Sequence, residues 1–195
     1  MKISKIESLC KSAKRITVVN DKKRNIQWIS DGTAIYPLFK LPKLTAENIF
    51  YMFDIPEEKQ GKIYFEELDE LPAALDFNDA NDFESDATRG TISLVVGGST
   101  LIPFECSVGT ILISKKHLDV FDDDAIFFER RRANGGVYLA AKEGLFLAGV
   151  ILPYTADTKL AETLKYMGGF LLIGQSGTRA DQYYIDEDEE NEEDV

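Results

Sequence analysis

The 195-residue sequence has a single histidine and only two cysteines. Any Ser-His-Asp or Cys-His catalytic arrangement would need His117, which stands in "KKHLD" with no nucleophile motif in support. We interpret His117 as a surface or helix-cap residue. Cys10 and Cys106 are too few for a disulfide framework or a four-thiolate metal site, and we expect both to be buried free thiols. The sequence therefore predicts a protein that is not an enzyme and that has no cofactor and no metal site.

Long apolar runs are also missing. No stretch approaches the roughly 20 residues that a membrane-spanning helix needs, and residues 1–15 carry a charge every few positions, unlike a signal peptide. We therefore expect a soluble, cytoplasmic protein without membrane contact. The stretches "VVGGST" and "IGQSGT" lack the glycine spacing and the Lys-Ser/Thr pair of phosphate-binding loops, so we expect turns there.

Basic residues are outnumbered, since 22 Lys and Arg against 34 Asp and Glu give a net charge of −12. The acidic excess lies in two segments without any base: residues 66–86 hold nine acids and residues 186–195 hold eight. Residues 1–65 have instead a net charge of +5, and residues 87–185 are neutral. The acidic chain thus contains a mildly basic N-terminal region.

The two acidic segments lead to different expectations. A like-charged block at a chain terminus buries too little apolar surface to offset the entropy of ordering, so residues 175–195 are predicted to form a disordered acidic tail. Such a tail either keeps the protein soluble, or competes for the protein's own basic face or binds a basic partner. We interpret residues 66–86 as a long surface insertion that apolar residues could anchor: Leu68, Leu71, Leu75, Phe77 and Phe83.

The apolar pattern predicts an α+β fold, mainly antiparallel sheet with a few short helices, in a single domain over residues 1–174. Strands at 125–130, 137–142 and 145–152 are separated by Asn-Gly-Gly and Glu-Gly, as in an antiparallel meander. A strand at 110–113 and a short helix capped by Ser114 precede this meander. The predicted unit is strand, helix and three strands.

The N-terminus has a similar order. Five apolar residues fall at helical spacing before three predicted strands: Ile3, Ile6, Leu9, Cys10 and Ala13. The last hairpin of each unit turns on an acid followed by Gly32 or Gly144, because glycine adopts the positive φ of a tight turn. This pattern indicates two helix-plus-three-strand repeats over residues 1–38 and 109–152, although antiparallel proteins also reuse such turns without duplication.

The remaining predicted elements lie between and after these units. In the insertion at residues 40–106, Thr45 is expected to cap a helix, "KIYFEE" to form a strand, and Gly97 and Gly98 to turn a hairpin. A helix is predicted where Leu160, Ala161, Leu164 and Met167 recur, and "FLLIG" is predicted to be the last strand.

Twelve basic residues are candidate contacts to nucleic acid, because they fall on predicted helices or hairpin tips. Such positions neutralise phosphates without reading base sequence, although they are also charged in most soluble proteins. No aromatic residues are interleaved with them, so stacking on single-stranded bases is disfavoured. The candidates are Lys5, Lys11, Lys14, Arg15, Lys22, Lys23, Arg24, Lys115, Lys116, Arg130, Arg131 and Arg132.

A duplicated unit of helix plus antiparallel strands, with lysines on the helices of an acidic chain, resembles the DNA sliding-clamp fold. That resemblance concerns element order over residues 1–38 and 109–152, and it implies helices that face duplex DNA. Separately, "LPKLTAENIFYMFDIPEE" and "YLAAKEGLFLAGVILPY" resemble stretches of uncharacterised proteins of bacterial prophages and mobile elements.

These observations favour a non-enzymatic accessory protein of a phage or mobile element that binds duplex DNA nonspecifically or binds a DNA-handling protein. The alternative is an acidic interaction or decoy protein, whose two acidic segments occupy a basic surface on a partner. Carboxylate or metal chemistry is the third alternative, because a chain with one histidine offers little else.

Overall fold

The computed structural model describes residues 1–132, 135–155, 160 and 162–166. The chain divides into two compact units, Met1–Tyr154 and Thr155–Val195. In the second unit residues 160 and 162–166 are helical, within the helix predicted there, whereas the "FLLIG" strand and the acidic tail lie outside the described residues. None of the described helices is both long and apolar enough to span a membrane.

The first unit begins with the predicted helix and meander: α1 (Ile3–Ala13), β1 (Arg15–Asp21), β2 (Ile26–Ser30) and β3 (Ala34–Pro37). Helix α1 buries Ile6, Leu9 and Cys10 in the core, as the spacing predicts. It ends at Lys14, whose left-handed φ of 52° returns its N–H to carbonyls of the last helical turn. This tight ending turns the chain directly into β1.

The middle of the chain contributes seven short elements: α2 (Ala46–Met52), α3 (Glu57–Gln60), β4 (Tyr64–Leu68), β5 (Ser85–Asp86), β6 (Thr88–Arg89), β7 (Leu94–Val96) and β8 (Ser99–Cys106). Thr45 caps α2, because its hydroxyl accepts the N–H of Asn48 at 3.3 Å. Strands β7 and β8 form the predicted hairpin, with positive φ at Gly97 and Gly98.

Five further elements complete the unit: β9 (Gly109–Ser114), α4 (Lys115–Leu118), β10 (Ile126–Arg131), β11 (Val137–Glu143) and β12 (Phe146–Ile151). Strands β10, β11 and β12 pair antiparallel, so the second predicted meander is confirmed. Ser114 precedes α4 as predicted, but its side chain makes no capping hydrogen bond.

The strands described form two sheets. The large sheet has the order β4-β1-β2-β3-β12-β11-β10-β5, and the small sheet has β8 in contact with β6, β7 and β9. All pairings are antiparallel except that of β1 with β4. The α+β prediction is therefore confirmed. Strand β9 does not join the meander that follows it, because a two-residue turn pairs it with β8.

The two meanders meet in the middle of the large sheet. Their third strands, β3 and β12, pair antiparallel, so each meander extends outward from the centre in the same order. Gly32 and Gly144 both have positive φ, at 94° and 64°, and each precedes the third strand of its meander. Strands β4 and β5, from the segment between the meanders, occupy the two edges.

The large sheet buries side chains on both faces, because successive residues of a strand point to opposite sides. On one side, which we call the helix face, α1 and α4 pack over strand residues that include Val18, Ile29 and Leu139. The opposite side, which we call the strap face, buries Val19, Trp28, Ile35, Tyr138, Ala140, Leu147 and Val150. A different part of the chain covers each face.

The strap face is covered by residues 69–84, which we call the strap. The strap runs from β4 at one edge of the sheet to β5 at the other. Phe77 is only 5% exposed and meets the ring of Trp28 edge-on, with 5.1 Å between ring centroids. Leu71 and Leu75 are partly buried beside it, whereas Phe83 is 87% exposed. The acidic segment is therefore a largely exposed surface segment that Leu71, Leu75 and Phe77 anchor to the sheet, whereas Leu68 and Phe83 are exposed and do not anchor it.

Candidate functional site

The exposed sides of α1 and α4 form the basic surface of the helix face. The two helices contact each other, and a polar groove of about 560 Å³ lies beside them. Four basic residues from both helices, their flanks and β6 line this groove: Lys2, Lys5, Arg89 and Lys115. The fold thus brings Lys5 and Lys115 together from opposite halves of the chain.

Three carboxylates also line the groove: Asp119, Asp122 and Asp123. Lys115 lies 2.5 Å from Asp119 one helical turn away, and Lys2 lies 3.7 Å from Asp122. Both pairs are well exposed to solvent, so each stabilises the fold by less than about 1 kcal/mol and can open to another anion. Within the described part of the chain, Lys5 and Arg89 have no carboxylate partner.

Two further lysines at the ends of these helices point to solvent. Lys14 follows α1, Lys116 lies in α4, and neither forms an ion pair with any described residue. Lys11 differs, because its ammonium bonds Glu7 at 2.7 Å one turn earlier. We use the name helix-face lysines for Lys5, Lys14 and Lys116, which are exposed and form no ion pair with any described residue.

The predicted bases at the first hairpin are bonded mostly to acidic parts of the chain. Arg15 lies in β1 instead of on the helix, with its guanidinium 3.3 Å from Glu66 and over the ring of Tyr64. Lys22 bonds Asp69 of the strap at 3.0 Å. Arg24 bonds Asp21 at 2.8 Å and the side-chain oxygen of a strap asparagine at 2.6 Å. Lys23, also in this turn, is exposed.

Arg130 does not occupy a hairpin tip, as the sequence predicts, because it lies within β10 with its side chain fully buried. Its guanidinium donates twice to Glu84, at 2.9 and 2.6 Å. It also donates to three backbone carbonyls of the strap, those of Asp76, Asn78 and Asp79. Arg130 therefore fastens the strap and has no surface to offer to DNA.

Glu84 is the acidic partner of this fastening. Lys142 also donates to its carboxylate, so two cations hold one acid of the strap. Burial alone would raise the pKa of Glu84, but the hydrogen bonds from Lys142 and Arg130 hold that pKa below its usual range. The carboxylate is thus charged and bonded to the sheet at neutral pH.

The neighbouring arginines connect the two sheets. Arg131 donates to the hydroxyl of Ser107 at 2.6 Å, and Ser107 donates in turn to the buried carboxylate of Glu129. Burial alone would raise the pKa of Glu129, but the bonds from Ser107 and Arg131 lower it. Arg132 follows β10, and its buried Nε has no partner among the described residues. These three arginines do not form the exposed basic cluster that the sequence predicts.

His117 is buried, which corrects its interpretation as a surface or cap residue. Its Nε2 lies 2.8 Å from the carboxylate of Asp31, at the turn between β2 and β3. That carboxylate also accepts the N–H groups of Thr33 and Ala34, each at 2.9 Å. Burial alone would raise the pKa of Asp31, but His117 and these two donors lower it. The pair ties α4 to the first meander.

Cys10 lies close enough to Asp31 for the charge of that carboxylate to affect the pKa of the thiol. A cysteine that acts as a nucleophile needs a lowered thiol pKa. Burial, reinforced by the charge of Asp31, raises the pKa of Cys10 to about 12, so the thiol stays protonated. Burial likewise raises the pKa of Cys106 to about 11, with a contribution from Glu129. Neither cysteine is activated for nucleophilic attack.

Sequence reasoning missed three basic residues, one in the helix-face groove and two at an end of the large sheet. Arg89 is isolated in the sequence, and only the pairing of β6 with β8 brings it to the helix-face groove. Lys40 and Lys43 follow β3 and converge with Lys22 at one end of the sheet. The basic stretch "KLPK" between two predicted elements was the available signal.

Among the residues that the structure describes, no carboxylate pairs with the helix-face lysines, and such exposed charges suit contact with a polyanion. In the part of the chain that is described, no group of three or more His, Cys, Asp or Glu side chains is arranged to hold a metal ion. No family model, no curated protein and no solved structure matches this chain.

Proposed function

We propose that this chain is a non-enzymatic accessory protein of a phage or mobile element that binds duplex DNA nonspecifically through its helix face. The observation that carries the proposal is that three exposed lysines on α1 and α4 and at the end of α1 form no ion pair with any described residue. On the strap face the buried Arg130 and Lys142 are bonded to Glu84, whereas Lys5, Lys14 and Lys116 are exposed and form no ion pair with any described residue.

Lys5 and Lys116 lie at the helix-face groove, because Lys5 lines it and Lys116 follows Lys115, which also lines it. Lys14 follows the last residue of α1, nine residues after Lys5, which is about 13 Å along the helix axis and about half a turn around it. Lys14 therefore lies on another flank of α1 and would contact a different part of a polyanion from Lys5. Lys116 adds a third charge from α4. Contacts of this kind depend on charge and salt, not on base sequence.

The order of the large sheet supports a duplication, which we propose together with the DNA-binding role. Each meander follows a helix, each is joined to the other through its third strand, and both helices pack on the same face. This arrangement agrees with the resemblance to sliding-clamp half-domains, whose helices face DNA. We infer that two related units present one shared basic surface.

The alternative role as an acidic decoy gains less support. Four acids of the segment at residues 66–86 already bond side chains of the large sheet: Glu66, Glu67, Asp69 and Glu84. A decoy needs its carboxylates free for a partner's cations. These contacts favour a structural role for the segment.

The test is the affinity for a fluorescently labelled duplex DNA at low salt, measured by anisotropy. We expect the triple variant K5Q/K14Q/K116Q to bind at least about tenfold more weakly, because three phosphate contacts are lost. The matched control K22Q/K40Q/K43Q removes three lysines at the end of the sheet and should change the affinity by less than about twofold. Equal losses in the two variants, or no binding by the unmodified protein, would contradict the proposal.

A further inference from the structure

A second polar groove, of about 400 Å³, lies at the end of the large sheet where β1 turns into β2. We call it the sheet-end pocket. Lys22 lies on one wall, in the β1–β2 turn, and Lys40 and Lys43 lie on the other, in the loop that follows β3. Three apolar residues add to the lining: Ile26, Leu38 and Leu41.

The two walls are bonded to each other. The buried side chain of Gln27 accepts the N–H of Leu44 at 2.6 Å and donates to its carbonyl at 3.0 Å. The same amide donates to Asn20 at 2.9 Å, and the backbone carbonyl of Gln27 accepts the N–H of Leu38 at 2.7 Å. Satisfied buried networks of this kind are rigid. The pocket is therefore preformed, and little ordering is needed when a ligand enters.

The lysines of the pocket are poorly neutralised. Its one lining carboxylate, Asp21, accepts the N–H groups of Lys23 and Arg24 and pairs with the guanidinium of Arg24 at 2.8 Å. Within the described residues Lys40 and Lys43 have no ion pair. The partner of Lys22 is Asp69, but the two side chains are 74% and 67% exposed, so this pair is weak.

Three lysines from two walls thus line a space within the size of small-ligand sites, which begin at about 300 Å³. Lysine ammonium groups bind phosphate as point charges, and several around one pocket suit a ligand with more than one negative charge. The half-buried Ile26 and Leu41 provide an apolar surface for a planar ring beside the phosphates, whereas Leu38 is almost fully buried. We propose that the sheet-end pocket binds a free nucleotide through its phosphate groups. This proposal does not rest on DNA binding by the helix face.

The experiment is isothermal titration of the whole protein at low salt with two probes, ADP and inorganic pyrophosphate. ADP should bind more tightly than pyrophosphate, because only ADP also reaches the apolar lining. The double variant K40Q/K43Q should weaken ADP binding by about tenfold, as expected for two exposed charge contacts. Both lysines are exposed and form no ion pair with any residue in the described ranges, so we expect the variant to fold.

The matched control is K5Q/K116Q, which removes the same charge from the helix face and should change ADP binding by less than about twofold. Equal weakening by the two double variants would show that only net charge matters and would overturn the proposal. Binding of pyrophosphate without ADP would overturn the assignment to a nucleotide, and so would the absence of any binding to the unmodified protein.

Discussion

The two faces of the large sheet treat basic residues differently. On the strap face, Arg130 and Lys142 are buried against Glu84, and three backbone carbonyls of the strap complete the contacts of Arg130. On the helix face, Lys5 and Lys116 are exposed and form no ion pair with any described residue. Similar side chains thus hold the fold together on one face and are available to a partner on the other.

The number of basic residues on a surface therefore does not show whether that surface binds a partner. Seven of the twelve candidates are bonded to acids of the chain: Lys11, Arg15, Lys22, Arg24, Lys115, Arg130 and Arg131. A buried cation needs such partners, because an unpaired charge away from water costs several kcal/mol. Whether a base can bind DNA therefore depends on which acids the fold places beside it.

The largest expected effect comes from replacing Arg130 on the strap face. The variant R130M should lower the free energy of unfolding by about 3–5 kcal/mol, because it leaves strap carbonyls and part of the Glu84 carboxylate unpaired. Urea denaturation measures this change. The control R89M replaces an exposed arginine of the helix-face groove and should cost less than about 0.5 kcal/mol. If both variants lower the free energy of unfolding by a similar small amount, the basic residues of the two faces do not differ in their contribution to folding.

The apolar part of the strap offers the next largest effect. The variant F77A should cost about 3 kcal/mol of folding stability, because the ring is buried edge-on against Trp28. Its control is F83A, in the same strap, which should cost less than about 0.5 kcal/mol because that ring is exposed. Thermal or urea unfolding of the two variants compares them directly. A stable F77A protein would mean that the strap does not depend on its aromatic anchor.

A smaller effect concerns acid stability at the Asp31–His117 pair. The pKa of Asp31 is lowered in the folded state. The charged carboxylate therefore stabilises the fold fully above the usual aspartate pKa, and this contribution is lost as pH falls through the lowered value. The variant D31N should have a free energy of unfolding about 1–2 kcal/mol lower than that of the unmodified protein at neutral pH. Its stability should also depend less on pH in the acidic range, as urea titrations at several pH values would show. An unchanged pH dependence would contradict this role of Asp31.

The smallest effect is expected from the acidic C-terminal segment. Removing residues 182–195 should change the unfolding midpoint by less than about 2 °C, because a like-charged terminus makes few buried contacts. If its acids compete for the helix face, the shortened protein should bind duplex DNA about threefold more tightly at low salt. Calorimetry and anisotropy measure the two quantities. A clear drop in the midpoint would show that the segment is docked.

Much of the fold could be predicted from the sequence, because its meanders and helices are local. Alternating apolar residues between glycine turns indicated β10, β11 and β12, and helical spacing indicated α1. The strap could not be predicted in this way. Its position depends on strands at opposite edges of the sheet, and on contacts between Phe77 and residues about fifty positions away in the sequence.

The candidate site was less predictable, since the role of each base depends on distant partners. His117 is buried because Asp31, 86 positions earlier, accepts its hydrogen bond. One local signal was available for Arg130. It lies two positions after Phe128 in a predicted strand, so both side chains had to share a face, and that face buries the phenylalanine. The sequence positions of the lysines on the helices gave no such signal of burial.

The most direct test of the account is a lysine footprint, in which acetylation of each lysine is quantified by mass spectrometry with and without duplex DNA. We predict that DNA protects Lys5, Lys14 and Lys116 while Lys22, Lys40 and Lys43 react as before. Protection confined to the sheet-end lysines, or no protection of any lysine, would contradict binding through the helix face.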